Sequence, residues 1–301
     1  MRRRQRTTAI AVAVVMATGA LGYAVYTSTG SDNPCATSGL STAVSPVRPT
    51  ISGLQAGGDP LAAGVGAASP RALDPSGVIH VVAAENFWGS LVGQLGGNLT
   101  SVLSIVTDPN ADPHEYEANS SDAAAMAGAQ LVIVNGVGYD DWATRLAAAD
   151  NNPSQILLNV GELNGVNLGG GILRGNPHVW YSPDYVNRTV AAMYSDLVQI
   201  QPNSRGVLST NFAALNSSLG ELYGRATAIK GSYAGVDVAA TEDIFVYLAN
   251  FTGLDLVSPP AFMQAVGEGN DPPASTVAQF QCQLESGLVR VLVYNLQTVT
   301  P

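Results

Sequence analysis

The chain has 301 residues, of which 46% are hydrophobic and 12% charged, a composition that excludes a disordered chain because disordered chains are rich in charge and poor in apolar residues. The formal net charge is −10, and four of the 13 basic residues lie among the first six positions, so the remaining body is more acidic still, which argues against a nucleic-acid partner. Two cysteines are too few for a disulfide-dense scaffold or a zinc ribbon.

The first 26 residues have the composition of a targeting segment. An arginine-rich start is followed by the uncharged stretch TTAIAVAVVMATGALGYAVY at positions 7–26. About 20 apolar residues can span a bilayer, so residues 1–26 are predicted to be a signal peptide or an uncleaved signal anchor. The positive-inside rule places the arginines in the cytoplasm and the rest of the chain outside. A lipid anchor on Cys35 is an alternative, although Asp32-Asn33-Pro34 is a poor lipidation motif.

Residues 27–77 are rich in Ser, Gly, Ala, Thr and Pro and show no sustained periodicity. Such a segment buries too little apolar surface to offset the entropy of ordering it. We therefore predict a flexible tether between the targeting segment and a folded body. Whether Cys35, within this tether, pairs with Cys282 in an oxidising compartment is left open by the sequence.

From residue 78 onward, apolar runs alternate with helical patterns. Strands are predicted at 78–84, 99–106, 131–134 and 156–158, and helices after Asn86, after Ser120-Ser121-Asp122, from Tyr139 to Ala149 and from Pro183 to Pro202. Strands that alternate with helices predict a parallel sheet covered by helices on both faces. The Gly- and Asn-rich segment 161–176 is predicted to be a loop.

A long helix is predicted next. Its apolar residues recur at steps of three and four, at Phe212, Leu215, Leu219, Leu222, Ala226 and Ile229. This spacing predicts one apolar face on a helix of about 25 residues, or about 37 Å, which can bridge two lobes. Strands at 236–240 and 288–294 and a helix at 243–251 predict a second lobe beyond it. Because the sequence ends soon after the last strand, we expect this lobe to be incomplete.

The predicted fold class is therefore α/β, with two doubly wound lobes joined by one long helix and an incomplete second lobe. The predicted boundaries are 1–26 for the targeting segment, 27–77 for the tether, 78–202 for the first lobe, 203–230 for the linking helix and 231–301 for the second lobe.

The three histidines of the chain lie in different contexts. His80 lies inside a predicted strand with no ligand-type residue close by in sequence, which favours an edge or solvent-facing strand residue. His114 and His178 each follow a proline at the boundary of a predicted element, and proline stiffens the segment that presents the imidazole. Ligands of open α/β sheets bind outside the carboxyl ends of the strands. The pair His114 and His178 therefore indicates a metal site.

Four blocks of sequence resemble a known family: VVAAENFWGSLVGQLGG, DPNADPHEYEANSSDAAAMAGAQLVIVNGVGYDDWATRL, NPHVWYSPDYV and TEDIFVYLANFTGL. They are similar to the cluster A-I metal-binding solute-binding proteins of ABC importers that take up zinc or manganese. The resemblance runs from about residue 78 to residue 301. It implies two α/β lobes joined by one long rigid helix, with the metal between them.

The resemblance also implies the metal ligands. The DPHEYE block implies His114, the NPHVWY block implies His178, and the start of the helix in the second lobe implies Glu242. In the family a fourth ligand, Asp or Glu, follows the next strand, and this sequence ends before such a segment. A carboxylate in place of a third imidazole favours Mn²⁺, whereas the Irving–Williams order and the ready acceptance of His₂Glu sets favour Zn²⁺.

The function that follows is an extracytoplasmic receptor of the cell envelope, membrane-anchored or secreted. It captures Mn²⁺ or Zn²⁺ for the permease of an ABC importer, and it is expected to be a monomer that catalyses no reaction and binds no nucleic acid. One alternative is a zinc-dependent hydrolase that uses the His₂Glu set with Glu115 as general base. Another is a truncated paralogue that binds metal weakly.

Several neighbouring residues have simpler interpretations. Glu115 is expected to support His114 or to face solvent, and Asp243 to provide a favourable charge at a helix start. Trp142 and Trp180 are expected to pack rather than to contact a ligand. Gly136-Val137-Gly138 lacks the third glycine of a dinucleotide fingerprint, and no G-x-S-x-G, H-E-x-x-H or P-loop motif is present in the sequence.

Overall fold

The computed structural model describes residues 15–17, 20–22, 35, 77–108, 116–150, 152–166 and 175–295. Most of the predicted targeting segment and tether lies outside these residues, as do His114 and Glu115. Within the targeting segment, Val15–Ala17 (β1) and Ala20–Gly22 (β2) pair as short antiparallel strands. Across the described ranges, no helix has the length and apolar character that crossing a membrane requires.

The first lobe is built on a parallel sheet of four strands, in agreement with the prediction. The strands are Ile79–Glu85 (β3), Thr100–Val106 (β4), Leu131–Val134 (β5) and Ile156–Asn159 (β6), in the order β4-β3-β5-β6. In the central strand Val81 lies beside Val102 on one neighbour and Leu131 on the other. β5 is a continuous apolar run and β3 contains one at residues 81–84, because both faces of a doubly covered sheet are buried.

Helices cover both faces of this sheet: Asn86–Gly96 (α1), Ser120–Gly128 (α2), Asp141–Asp150 (α3), Val160–Leu163 (α4) and Pro183–Ile200 (α5). Successive side chains of a strand point to opposite faces. Accordingly, Val81 and Ala83 pack with α1 and α5, whereas Val82 and Ala84 pack with α2 and α3. The first lobe thus has two cores, one on each face of the sheet.

Some local predictions were wrong in detail. Asn86 is the first residue of α1 rather than its cap, and α2 is capped by Asn119, whose side chain accepts from the backbone of Ser121 and Asp122. The short helix α4 occupies the start of the segment predicted as a loop. His80 is half-buried in the central strand β3 rather than on an edge, because β4 and β5 flank that strand.

The long helix is present and runs over 29 residues, Arg205–Tyr233 (α6). It packs against α1 and α5 of the first lobe and reaches the second lobe at its far end. Its predicted apolar face is only partly buried: Leu215 and Ala226 are buried, whereas 46% of Leu222 is exposed. The ring of the next residue, Tyr223, lies 6.3 Å from that of Phe251 in the second lobe, so the helix meets that lobe through a neighbouring face, which the sequence periodicity does not reveal.

The second lobe contains a three-stranded parallel sheet in the order β8-β7-β9. Its strands are Asp237–Ala240 (β7), Asp255–Leu256 (β8) and Val291–Val293 (β9), and its helices are Val246–Thr252 (α7), Pro260–Gly267 (α8) and Ala274–Glu285 (α9). A 3₁₀ turn at Asp243–Phe245 precedes α7. The core of this lobe centres on Val238, Phe262 and Phe280, with the last two rings stacked 4.3 Å apart.

A disulfide joins Cys35 to Cys282 of α9, with the two Cα atoms 5.7 Å apart. The two residues are 247 positions apart in sequence, and Cys35 is 7% exposed. The bridge therefore attaches the predicted tether, near its beginning, to the second lobe. It also uses the thiol of Cys35, so the lipid-anchor alternative is incompatible with this arrangement.

Candidate metal site

Three residues of the candidate site lie at the boundaries of strands or helices. Glu242 follows the carboxyl end of β7, and Asn135 follows the carboxyl end of β5. His178 precedes a short 3₁₀ turn at Val179–Tyr181 and the start of α5. Carboxyl ends of parallel strands are the usual place for ligand binding in open α/β sheets.

His178 is 8% exposed and is held through one ring nitrogen. Its Nδ1 lies 2.9 Å from Oδ1 of Asn176 and 3.2 Å from Oδ1 of Asp243. Its backbone N–H also donates to Asn176 Oδ1, at 2.9 Å. Because Asp243 belongs to the second lobe, His178 of the first lobe is in direct contact with the facing lobe.

Asn176 strengthens this connection between the lobes. Its side-chain amide donates to the backbone carbonyl of Asp243 at 2.8 Å, and its own backbone carbonyl accepts from the Tyr247 hydroxyl at 2.9 Å. Tyr247 belongs to α7, yet its ring packs into the core of the first lobe and lies 5.5 Å from the ring of Tyr185. The segment that presents His178 is thus fixed from both lobes.

Glu242 is 4% exposed and has extended backbone angles immediately before the 3₁₀ turn. Its negative charge acts on Tyr181, next to the His178 segment: burial, and in addition the charge of Glu242, raise the pKa of Tyr181 to about 12. On the other side Gly267 approaches closely, since a Cβ added there would lie 3.8 Å from Glu242 Cβ and 3.3 Å from Asp243 Oδ1. The carboxylate is therefore enclosed by the second lobe and close to the first.

The structure thus brings Asp243, the neighbour of Glu242, into contact with His178. His114 and Glu115 fall within residues 109–115, outside the described residues. Among the residues that are described, no three His, Cys, Asp or Glu side chains converge as a metal-binding group. The ligand set His114, His178 and Glu242 consequently stays a prediction.

Aromatic rings surround His178 on the side of the first lobe. Trp180 lies edge-on to the imidazole with 5.2 Å between ring centroids, and Tyr139 is 6.1 Å away. Trp180 in turn stacks on Phe87 at 4.2 Å. Trp142 packs elsewhere, against Tyr116 in the core on the opposite face of the sheet. These contacts make Trp180 and Trp142 packing residues, and the rings around His178 limit its movement.

Two buried hydrogen bonds that the sequence did not reveal support the segment that presents His178. Trp88 Nε1 donates to Asn135 Oδ1 at 3.1 Å, and Asn135 Nδ2 donates to the carbonyl of Pro177 at 2.9 Å. Both Trp88 and Asn135 are fully buried. The sequence placed Asn135 directly after a strand, but nothing in it indicated these partners, because they lie 47 and 42 positions away.

Two buried carboxyl groups lie next to these hydrogen bonds. Glu85 ends β3 with 1% exposure, and Asp140 is fully buried. Burial raises the pKa of Glu85 well above its usual value, and the negative charge of Asp140 raises that pKa further. Burial also raises the pKa of Asp140, but backbone N–H groups of Gly136 and Asn135 donate to its oxygens at 2.7 and 2.6 Å and oppose that shift. Burial and the charge of Asp140 thus both disfavour ionisation of Glu85, whereas the two backbone N–H groups favour the ionised form of Asp140.

The raised pKa of Glu85 predicts a specific dependence of stability on pH. In the unfolded chain Glu85 ionises near its ordinary pKa of 4.5, whereas the folded protein keeps the proton to higher pH. The stabilisation is therefore complete below the unfolded pKa and is lost as pH rises towards the folded pKa, by up to about 1.4 kcal/mol per pH unit. Glu85→Gln keeps a neutral hydrogen-bond donor and removes this pH-dependent loss of stability. In urea unfolding, the free energy of unfolding of the variant relative to the wild type should therefore be larger at pH 8 than at pH 5. The same relative free energy at both pH values would contradict the prediction.

Comparison with known proteins places this geometry in context. A family model described as ZnuA, zinc-uptake complex component A periplasmic, matches residues 81–301. The chain is 26% identical over 208 residues to the manganese-binding lipoprotein MntA of Halalkalibacterium halodurans, covering 65% of each chain. It is 23% identical over 184 residues to a putative metal-binding protein of Thermotoga maritima, covering 59% of this chain and 63% of that one. The chain thus spans somewhat less than two thirds of the length of both curated relatives.

The fold is also that of solved structures. The metal-dependent lipoprotein YcdH from Bacillus subtilis superposes with a TM-score of 0.60 and 20% sequence identity, over 72% of this chain and 78% of that chain. The superposition establishes a shared fold. The mixed α/β architecture with parallel sheets read from the sequence is thereby confirmed.

Proposed function

The chain belongs to the ZnuA family of periplasmic zinc-uptake components, and from that membership we propose that it is an extracytoplasmic receptor that captures Mn²⁺ or Zn²⁺ for the permease of an ABC importer. The matched curated relatives are named for manganese binding and metal binding. The proposed domain boundaries are 78–202 for the first lobe, 203–230 for the linking helix and 231–301 for the second lobe. We also propose that the protein acts as a monomer at the outer side of the membrane and binds no nucleic acid.

The observation that carries the proposal is the contact between His178 and the second lobe. An imidazole of one lobe lies 3.2 Å from Asp243, the residue next to the buried Glu242 of the other lobe. A cation that bound His178 and Glu242 would be enclosed between the lobes. We propose His114, on the segment outside the described residues, as the third protein ligand.

The donor set fits a divalent transition metal as the transported substrate. Neutral imidazole suits Zn²⁺ and Mn²⁺, and a carboxylate both hardens the set towards Mn²⁺ and neutralises one charge of the ion. Zn²⁺ also accepts a His₂Glu set with water in the fourth position. The buried position of His178 and Glu242 strengthens their attraction for a cation, because charges in a low-dielectric interior are screened less.

A receptor rather than an enzyme is proposed, because the family description and the names of both curated relatives refer to metal uptake or binding and not to hydrolysis. Ligand exchange and small lobe movements are sufficient for capture and release, and no bond is broken. Zinc-dependent turnover of ester or peptide substrates would contradict this part of the proposal.

The central experiment measures metal-linked stability. Full-length protein stripped of metal should unfold at a higher temperature when Mn²⁺ or Zn²⁺ is added, since a ligand at 100 times its Kd adds about 2.7 kcal/mol. Equilibrium dialysis should find one ion per chain. Glu242→Gln, which keeps the shape but removes the charge, should reduce the thermal shift, and so should His114→Ala.

Glu268→Gln is the matched control for Glu242→Gln, because Glu268 is an exposed carboxylate of the same lobe. It should leave the thermal shift unchanged. A wild-type protein whose unfolding temperature does not respond to either metal, or a Glu242→Gln variant that responds fully, would contradict the proposed site.

A further inference from the structure

The orientation of the Asn176 side chain is determined by two backbone groups. Its amide nitrogen faces the carbonyl oxygen of Asp243 at 2.8 Å, a partner that accepts only. Its amide oxygen faces the backbone N–H of His178 at 2.9 Å, a partner that donates only. A flipped amide would place two donors together at one end and two acceptors together at the other. Oδ1 is therefore the atom that also faces the imidazole.

This orientation determines the tautomer of His178. Its Nδ1 lies 2.9 Å from Asn176 Oδ1 and 3.2 Å from Asp243 Oδ1, so it is surrounded by two acceptors. A nitrogen in that position carries the hydrogen and shares it between them. In a neutral imidazole only one nitrogen carries a hydrogen, so the lone pair lies on Nε2.

We propose that Asp243 and Asn176 are positioning residues that hold His178 as the Nδ1–H tautomer and thereby present Nε2 to the metal ion. The inference rests on the proposed function, because His178 is a ligand only if the chain binds metal. A histidine ligand whose other ring nitrogen donates to a carboxylate is better oriented and more basic. Asp243 supplies that carboxylate, and Asn176 holds the backbone of Asp243 in place.

The two positioning residues come from different lobes, which gives the arrangement a further property. Asn176 belongs to the segment of His178, whereas Asp243 belongs to the second lobe beside Glu242. One dipeptide, Glu242-Asp243, thus supplies both a proposed ligand and the group that orients a ligand from the opposite lobe. Separation of the lobes would remove the carboxylate from Nδ1 and weaken Nε2 as a ligand, which couples metal release to lobe opening.

A simpler role for Asp243 is a favourable charge at the start of the 3₁₀ turn. That turn has only three residues, and the side chain of Asp243 is 17% exposed and points across to His178. The two roles predict different results. A charge at a helix start affects stability and leaves the imidazole tautomer unchanged, whereas a positioning residue affects the tautomer and metal affinity.

The experiment uses the full chain and two measurements. Long-range ¹H–¹⁵N spectra of the metal-free protein distinguish Nδ1–H from Nε2–H imidazole, and His178→Ala assigns the signal among only three histidines. Wild-type His178 should be the Nδ1–H tautomer. Asp243→Ala should give a mixture of tautomers and raise the Kd for Mn²⁺ and Zn²⁺ about 10- to 100-fold. Asp243→Asn keeps a neutral acceptor and should fall between wild type and Asp243→Ala.

Asp271→Asn is the control, because Asp271 is an exposed aspartate of the same lobe, and it should change neither measurement. If wild type binds metal and Asp243→Ala binds it with the same Kd and the same tautomer, the inference is overturned while the proposed function stands. If wild type binds neither metal, the proposed function fails and the inference falls with it. A wild-type Nε2–H tautomer would overturn the inference alone.

Discussion

Replacing His178 with alanine should weaken the binding of Mn²⁺ or Zn²⁺ by at least about 100-fold. Loss of a residue that only supports a ligand typically costs 10- to 100-fold in metal affinity, so loss of a ligand itself should cost at least the upper end of that range. Calorimetric titration of the metal-stripped protein measures the effect. His178 also contacts Asn176 and Asp243, so circular dichroism should accompany the titration to show that the variant is folded.

His80→Ala provides the matched comparison. His80 is the second residue of β3, and Glu85 at the carboxyl end is five positions further along, about 16 Å in an extended strand. It lies in the part of the sheet away from the loops that present His178 and Glu242. Its replacement should change the metal Kd by less than about twofold. Equal metal affinities for wild type, His80→Ala and His178→Ala would show that His178 is not a ligand.

Trp88→Ala should lower the free energy of unfolding by about 3–5 kcal/mol, as expected for the loss of a large aromatic side chain from a core. Trp88 belongs to α1 and is fully buried in the core that α1 forms with β3 and α5, and its indole donates to Asn135. The alanine variant loses both the packing and the hydrogen bond. Urea unfolding followed by far-ultraviolet circular dichroism measures the loss.

Trp88→Phe separates the two contributions, because it keeps most of the ring and removes the donor. It leaves Asn135 Oδ1 buried without the indole N–H, which costs about 1–3 kcal/mol. Leu222→Ala, at a residue 46% exposed on α6, should change stability by less than about 0.5 kcal/mol. A Trp88→Ala variant within 1 kcal/mol of wild type would contradict this account of the core.

The two central strands of the first lobe could be predicted because they are apolar on both faces over most of their length. β5 is a continuous apolar run and β3 contains one at residues 81–84, and a buried parallel strand is the structure that such runs form most readily. The long helix could be predicted from apolar residues that recur every three or four positions. The exposure of Leu222 could not be predicted, because Leu222 has the spacing of a core residue whereas the neighbouring Tyr223 makes the contact with Phe251 of α7.

Most of the second lobe was harder to predict. The helices α8 and α9 and the strand β8 were not predicted, since β8 has two residues and α9 carries polar side chains around most of its surface. The helix predicted at 243–251 is a 3₁₀ turn followed by α7, so Glu242 precedes a turn rather than an α-helix. Tertiary packing determines these elements more than local propensity does.

The candidate metal site, like the fold, could be predicted only in part. His178 and Glu242 were indicated by their sequence blocks, but the role of Asn176 and Asp243 depends on contacts between the lobes. Asn176 and Asp243 are 67 positions apart, and no local pattern relates them. Asp243 was interpreted as a helix-start charge, whereas in the structure its carboxylate faces an imidazole of the other lobe.

The bridge between Cys35 and Cys282 changes how the folded body would respond to mechanical tension from its amino-terminal side. A force applied at Cys35 would pass through the two sulfur atoms into α9. The second lobe, rather than β3 of the first lobe, would therefore be the part of the folded body that receives this load first.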